Sequence, residues 1–152
     1  MDDAFDYIKL HGIDTEESYP YLAKLQFWCY FDKEKVGATL TGYVDIPSGN
    51  EKELFKAVAT VGPVSVGINA GGYGFMHYGS GIYEVDECDP QKLNHGVLIV
   101  GYGSEDGKDY WIVKKQASNK ITYPTEIISS SNLTLLFFPF NLLIIHPKTF
   151  GS

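Results

Sequence analysis

Two apolar runs, HGVLIVGYG and DYWIVKK, stand either side of the short segment SEDGK near the middle of the chain. Each run is long enough and apolar enough for a core strand, and Asp106-Gly107 supplies the pair of residues that a tight hairpin turn favours. This hairpin constrains the fold more than any other stretch. A sheet with a buried face must exist, and the rest of the chain has to cover it.

The segment SGNEKELFKAVATVGP (48–63) is the obvious cover. Ser48 and Glu51 have the spacing of a capping box, Leu54, Phe55, Val58 and Val61 line one side, and Gly62-Pro63 ends the helix. Upstream, DDAFDYIKLHG reads as the end of a short helix, with Gly12 as a left-handed cap. IDTEESYPY (13–21) reads as a polar loop, and GATLTGYVDIP (37–47) alternates as a strand. VSVGINA (64–70) is a further strand, and the Gly-rich run GGYGFMHYGSG is a loop without regular structure. That run lacks the Lys-Ser/Thr and the helix-opening G-x-G-x-x-G of a nucleotide loop.

Composition narrows the function classes. At 152 residues the chain has the size of one domain. Its net charge is −7, and all 12 basic residues are lysine, so the forked guanidinium that grips phosphate and guanine is absent. Nucleic acid is therefore not an expected partner. Of the 19 acidic residues one lies beyond Lys114, and of the 16 glycines one does. The chain changes character there, and residues 115–152 are expected to form a divergent tail outside the fold. Their apolar run at 133–145 is broken by Pro139 and Asn141 and is too short for a membrane span. Met1 is followed by Asp2 and Asp3, not by a basic segment and an apolar run, so no secretory signal is visible.

Cys29 and Cys88 permit one disulfide, which would close a loop of about 60 residues and contribute roughly 4 kcal/mol. Metal binding is not expected: EVDECD (84–89) is the single acidic knot, and a solvated loop accounts for it. No cofactor is expected either. Among the histidines, His77 reads as a loop residue, His11 suits a helix C-terminus, and His146 falls in the tail. Asn132 heads a glycosylation sequon by pattern. His95, between Asn94 and Gly96 at the start of an apolar strand, is the histidine whose surroundings point to chemistry.

Taken in order, DDAFDYIKLHGIDTEESYPY, KAVATVGPVSVGINA, GIYEVDEC, LNHGVLIVGYG and DYWIVK resemble the papain-like cysteine peptidases of the cathepsin L-like branch. The resemblance covers residues 1–114 and implies an α+β, two-lobed peptidase fold. Residues 1–30 would end the helical lobe and 31–114 would supply most of the sheet-rich lobe. It implies that His95 is the catalytic histidine, holding a cysteine as thiolate and then protonating the leaving amine. It further implies that Gly67 and Leu93 line the main specificity pocket and that the Asn94 main chain hydrogen-bonds the substrate backbone. Peptide or protein substrates follow, with a lysosomal or secreted setting.

The departures carry equal weight. The family's nucleophile lies in a Cys-Gly-Ser-Cys-Trp stretch preceded by a glutamine, and neither occurs in these residues. After YWIVK the family continues Asn-Ser-Trp-Gly, where this chain reads Lys115-Gln116-Ala117-Ser118. Cys29 and Cys88 are not flanked as that nucleophile is, and their counterparts bond to cysteines outside the stretch present here, so two free thiols are expected. The resulting expectation is a truncated or alternatively spliced peptidase homologue, inactive alone. The alternatives are half of a split enzyme completed by a separate N-terminal half, and a decoy that binds peptides or peptidase inhibitors.

Overall fold

The structure, a computed structural model, describes residues 1–84, Asp89 and 92–114, together with the backbone of the strands Thr125–Ser129 and Ile145–Pro147. Helix α1 (Asp2–His11) opens the chain, with Asp2 and Asp3 in its first turn and Lys9 and His11 in its last, the arrangement that complements the helix dipole. Gly12 ends it at φ 85° and ψ −174°, a positive φ with an extended ψ in place of the expected left-handed cap. A Cβ at Gly12 would lie 2.5 Å from Val36 Cγ1, so close approach of the next strand also requires glycine there. Inside the predicted polar loop, β1 (Ile13–Asp14) pairs antiparallel with β2 (Val36–Leu40). Strand β2 stops at Leu40, well short of the alternation that runs to Pro47.

Helix α2 (Glu51–Thr60) begins later than the capping box predicts. Pro47 accepts from the Asn50 amide at 3.1 Å, and Gly49 turns through φ 73°, so Ser48 is spent in a turn. Asn50 caps instead, its Oδ1 accepting from the Glu53 amide at 3.1 Å. Asn50→Ala is expected to destabilise the fold by about 1 kcal/mol and Ser48→Ala by clearly less, as read from urea midpoints. The reverse order would restore the capping box.

A five-stranded sheet has the order β3-β5-β6-β7-β4, from β3 (Val64–Ile68), β4 (Ile82–Tyr83), β5 (His95–Glu105), β6 (Lys108–Lys114) and β7 (Thr125–Ser129). The β5–β6 hairpin is as predicted: Asp106 and Gly107 have φ 51° and 76°, the two left-handed residues of a type I′ turn. Its register shifts between Ile99 and Gly101, so the strands carry a bulge. Val64, Val66 and Ile68 of β3, Val97 and Ile99 of β5, and Trp111 and Val113 of β6 alternate into one core with Ile46, Leu54 and Phe75. From α2 the buried side is Leu54, with Ala57 and Val58 packed against it. Phe55 and Val61, expected on that side, are about half exposed. The Gly-rich run contains a short helix, α3 (Tyr73–Met76), which differs from the expected loop because the buried Phe75 anchors it to the core.

Within residues 115–152 two strands are described. Strand β7 pairs with both β6 and β4, and β8 (Ile145–Pro147) pairs with β2. Among the described residues, no helix is long and apolar enough to cross a membrane.

Candidate functional site

Strands β3 and β5 run antiparallel with Gly67 opposite Gly96 and Ile68 opposite His95. His95 is thus the first residue of β5, half-buried, at the end of the sheet where β3 leaves it. Its ring meets Phe75 edge to face, centroids 6.4 Å apart at 68°. Phe75 is itself packed against Tyr83 at 5.7 Å and is 3% exposed, so the surface that supports the imidazole is a fixed part of the core.

The turn before His95 is tied to the end of β3 by Asn94. Its amide donates to the Ile68 carbonyl at 3.1 Å, and its Oδ1 accepts from the Ala70 amide at 2.8 Å. Asn69 adds a local turn, its Oδ1 accepting from the Gly71 amide at 3.1 Å, and its Nδ2 donates to the Asp89 carbonyl at 3.0 Å. Leu93 packs over Gly67: a Cβ at position 67 would lie 3.4 Å from Leu93 Cδ1. The fold therefore brings His95, Asn94, Leu93 and Gly67 together at one end of the β3–β5 pair. The spacing of 26 residues between Gly67 and Leu93 gives no hint of this on its own.

Phe75, Asn69 and Ala70 were not singled out from sequence. An Asn two residues before a glycine is a readable turn signal, but Phe75 in a Gly-rich run carries none. The remaining histidines stand apart from this cluster. His77 Nδ1 is 2.9 Å from the Tyr73 carbonyl and its ring stacks on Tyr73 at 4.0 Å, while His11 rests on Tyr7 at 4.6 Å near the end of α1. For His146 the backbone alone is described, within β8. Asn132 lies outside the described residues.

Cys29 is an exposed free thiol, and Cys88 lies outside the described residues. Of the acidic knot, Glu84 pairs with Lys108 at 2.6 Å and Asp89 with Lys92 at 3.0 Å. That hydrogen bond to Glu84 raises the Lys108 ammonium above its ordinary range. Among the described residues, no group of three or more His, Cys, Asp or Glu could hold a metal ion.

A half-buried histidine on a rigid aromatic support, beside an asparagine-locked turn, has the chemistry needed for proton transfer. Comparison with known proteins gives this arrangement its family. The papain family cysteine proteases match residues 1–121. The chain belongs to the papain family of cysteine proteases. Cathepsin L of Sarcophaga peregrina is 57% identical over 116 residues, which are 75% of this chain and 34% of that protein. Digestive cysteine proteinase 2 of Homarus americanus is 51% identical over 115 residues, with 75% and 35% covered. This papain-family chain thus spans about a third of the length of such relatives. The structure of digestive procathepsin L 3 from Tenebrio molitor larval midgut superposes with a TM-score of 0.77 at 36% identity, covering 97% of this chain and 47% of that one.

Proposed function

We propose that this chain carries the histidine side of a cathepsin L-like thiol peptidase site, with His95 as the proton-transfer residue. The observation that carries this reading is the gathering of His95, Asn94, Leu93 and Gly67 at one strand end in a chain 57% identical to a cathepsin L. In the mechanism we infer, the imidazole holds a cysteine as thiolate, and the resulting imidazolium donates its proton to the departing amine as the acyl-enzyme forms. The Asn94 amide is committed to Ile68, so the Asn94 carbonyl is the main-chain group we assign to the substrate backbone. The substrates are peptides or proteins, and the setting we infer from the family is lysosomal or secreted. Residues 1–30 belong in this reading to the helical lobe and 31–114 to the sheet-rich lobe.

The nucleophile is not among these 152 residues. Cys29 stands in the segment between β1 and β2, with none of the Gly/Ser surroundings that open a helix onto a thiolate. The 152-residue chain alone is expected to show no hydrolysis of a fluorogenic peptide under reducing, mildly acidic conditions. Mixed with, or fused to, a papain-family helical lobe bearing the cysteine, it is expected to turn that peptide over. Activity of the chain alone, whether it survives Cys29→Ser and Cys88→Ser or is lost with either, would sink the reading.

Gly67 gives a specificity test in the same joined enzyme. A Cβ fits against Leu93 at an ordinary contact distance, so Gly67→Ala should fold normally, whereas Gly67→Leu fills the shelf. We expect Gly67→Leu to lower kcat/KM for a bulky apolar substrate side chain about 10–200-fold, with a smaller loss for an alanine-bearing peptide. Equal losses on both peptides would remove Gly67 from the pocket. The decoy reading rests on the same intact shelf: a peptidase inhibitor protein retained by the chain without turnover would favour it.

A further inference from the structure

Seven residues along β5 from His95, roughly 20 Å by strand rise, a second cavity opens between α2 and the β5–β6 hairpin. Its volume is about 490 Å³, within the range of small-molecule sites. Four aromatic residues, Phe55, Tyr102, Tyr110 and Trp111, line it. Phe55 and Tyr102 lie with ring centroids 4.4 Å apart, and Tyr102 meets Trp111 edge to face at 6.4 Å. Phe55 is 47% and Tyr102 42% exposed, an unusual degree for rings so close to a core. Two carboxylates, Glu51 from α2 and Asp109 from β6, stand on the same lining. Neither forms a salt bridge among the described residues.

Glu51 is half-buried, and its carboxyl is held above the ordinary range first by burial and then by the charge of Asp109. A partly desolvated carboxylate beside a second one, with no cation paired to either, leaves a charge that a bound cation would satisfy. Lys52 also lines the cavity, but it is exposed, so its ammonium remains hydrated. The helix N-terminus behind Glu51 is already capped by Asn50. Trp111, 4% exposed, also lines the cavity.

We propose that this cavity is a binding site for an organic ammonium ion. The rings of Phe55, Tyr102 and Trp111 take the cation's alkyl surface, and Glu51 and Asp109 take its charge. Aromatic rings combined with carboxylates are the chemistry that selects ammonium groups over neutral molecules of the same shape. An anion is disfavoured by the two carboxylates, and a bare metal ion by the aromatic walls.

The chain contains 2 tryptophans, so the test can be read at Trp111 itself. In a Trp28→Phe background, where the replaced ring is 76% exposed and its loss harmless to packing, the one remaining indole N–H signal belongs to Trp111. Titration with choline is expected to shift that signal saturably. The uncharged isostere 3,3-dimethylbutanol is expected to bind at least about tenfold more weakly, because it lacks the attraction to the rings and carboxylates. Asp109→Asn, at an exposed position, and Glu51→Gln should together weaken choline by at least about tenfold while the backbone spectrum keeps its dispersion. With choline bound, competition by a trimethyllysine amide would place protein side chains among the ligands, and its failure would confine the site to small free ammonium ions such as choline; both support ammonium recognition. No saturable shift with choline, equal binding of the isostere, or full binding by the folded double variant would each overturn the proposal.

Discussion

His95→Ala is expected to lower kcat/KM of the enzyme assembled from this chain and a cysteine-bearing lobe by roughly a thousandfold or more. The magnitude follows from two losses at one atom. Proton transfer by a positioned side chain contributes about 10²–10⁴-fold by itself. The same imidazole also sets the thiolate population of its partner, since the thiolate and not the thiol attacks. Because both functions fall together, adding Asn94→Ala to His95→Ala should cost far less than it does alone. Steady-state kinetics on the two single variants and the double variant check this. A loss under tenfold for His95→Ala would mean that another base serves the site. Retained affinity for a substrate-derived aldehyde-free peptide would show that the variant still folds.

Leu54→Ala is expected to destabilise the chain by about 2–5 kcal/mol, the range for a large-to-small change at a fully buried position. Leu54 is 0% exposed and belongs to the cluster formed by β3, β5 and β6, so its truncation leaves a hole between α2 and the sheet. Against a typical domain stability of about 5–15 kcal/mol, that is enough to unfold a large fraction of a marginal chain. The neighbouring Phe55→Ala serves as the internal contrast. Phe55 is 47% exposed and touches Tyr102, not the core, so it should cost about 1 kcal/mol or less in urea denaturation. Similar costs for the two would mean that α2 packs on a different face from the one described.

That contrast also shows what sequence periodicity can resolve. Leu54, Phe55, Val58 and Val61 all fit one broad apolar stripe, and nothing in the spacing says where on that stripe the sheet will lie. The sheet chose Leu54 with Ala57 and Val58, an i, i+3, i+4 set, and left Phe55 at the mouth of a second cavity. The N-cap followed the same rule. Ser48, Asn50 and Glu51 all offer capping chemistry, and the turn at Pro47–Gly49 selected Asn50. Where one residue pair has only one low-energy conformation, as at Asp106-Gly107, the sequence reading needed no help.

For the candidate site, the residues proposed were named from the resemblance, and their meeting was not legible. His95, Asn94, Leu93 and Gly67 could be named from the order of motifs, because a string of local patterns in sequence is enough to indicate a family. The hairpin, the helix over it and the mixed α+β class followed from local propensity and periodicity, which depend on near neighbours. Tertiary structure alone decided that Gly67 faces Leu93, that Phe75 supports the His95 ring, and that segments beyond Lys114 join the sheets. Those are contacts between residues far apart in the chain, fixed by strand register and by which buried face wins, and no local pattern encodes a register.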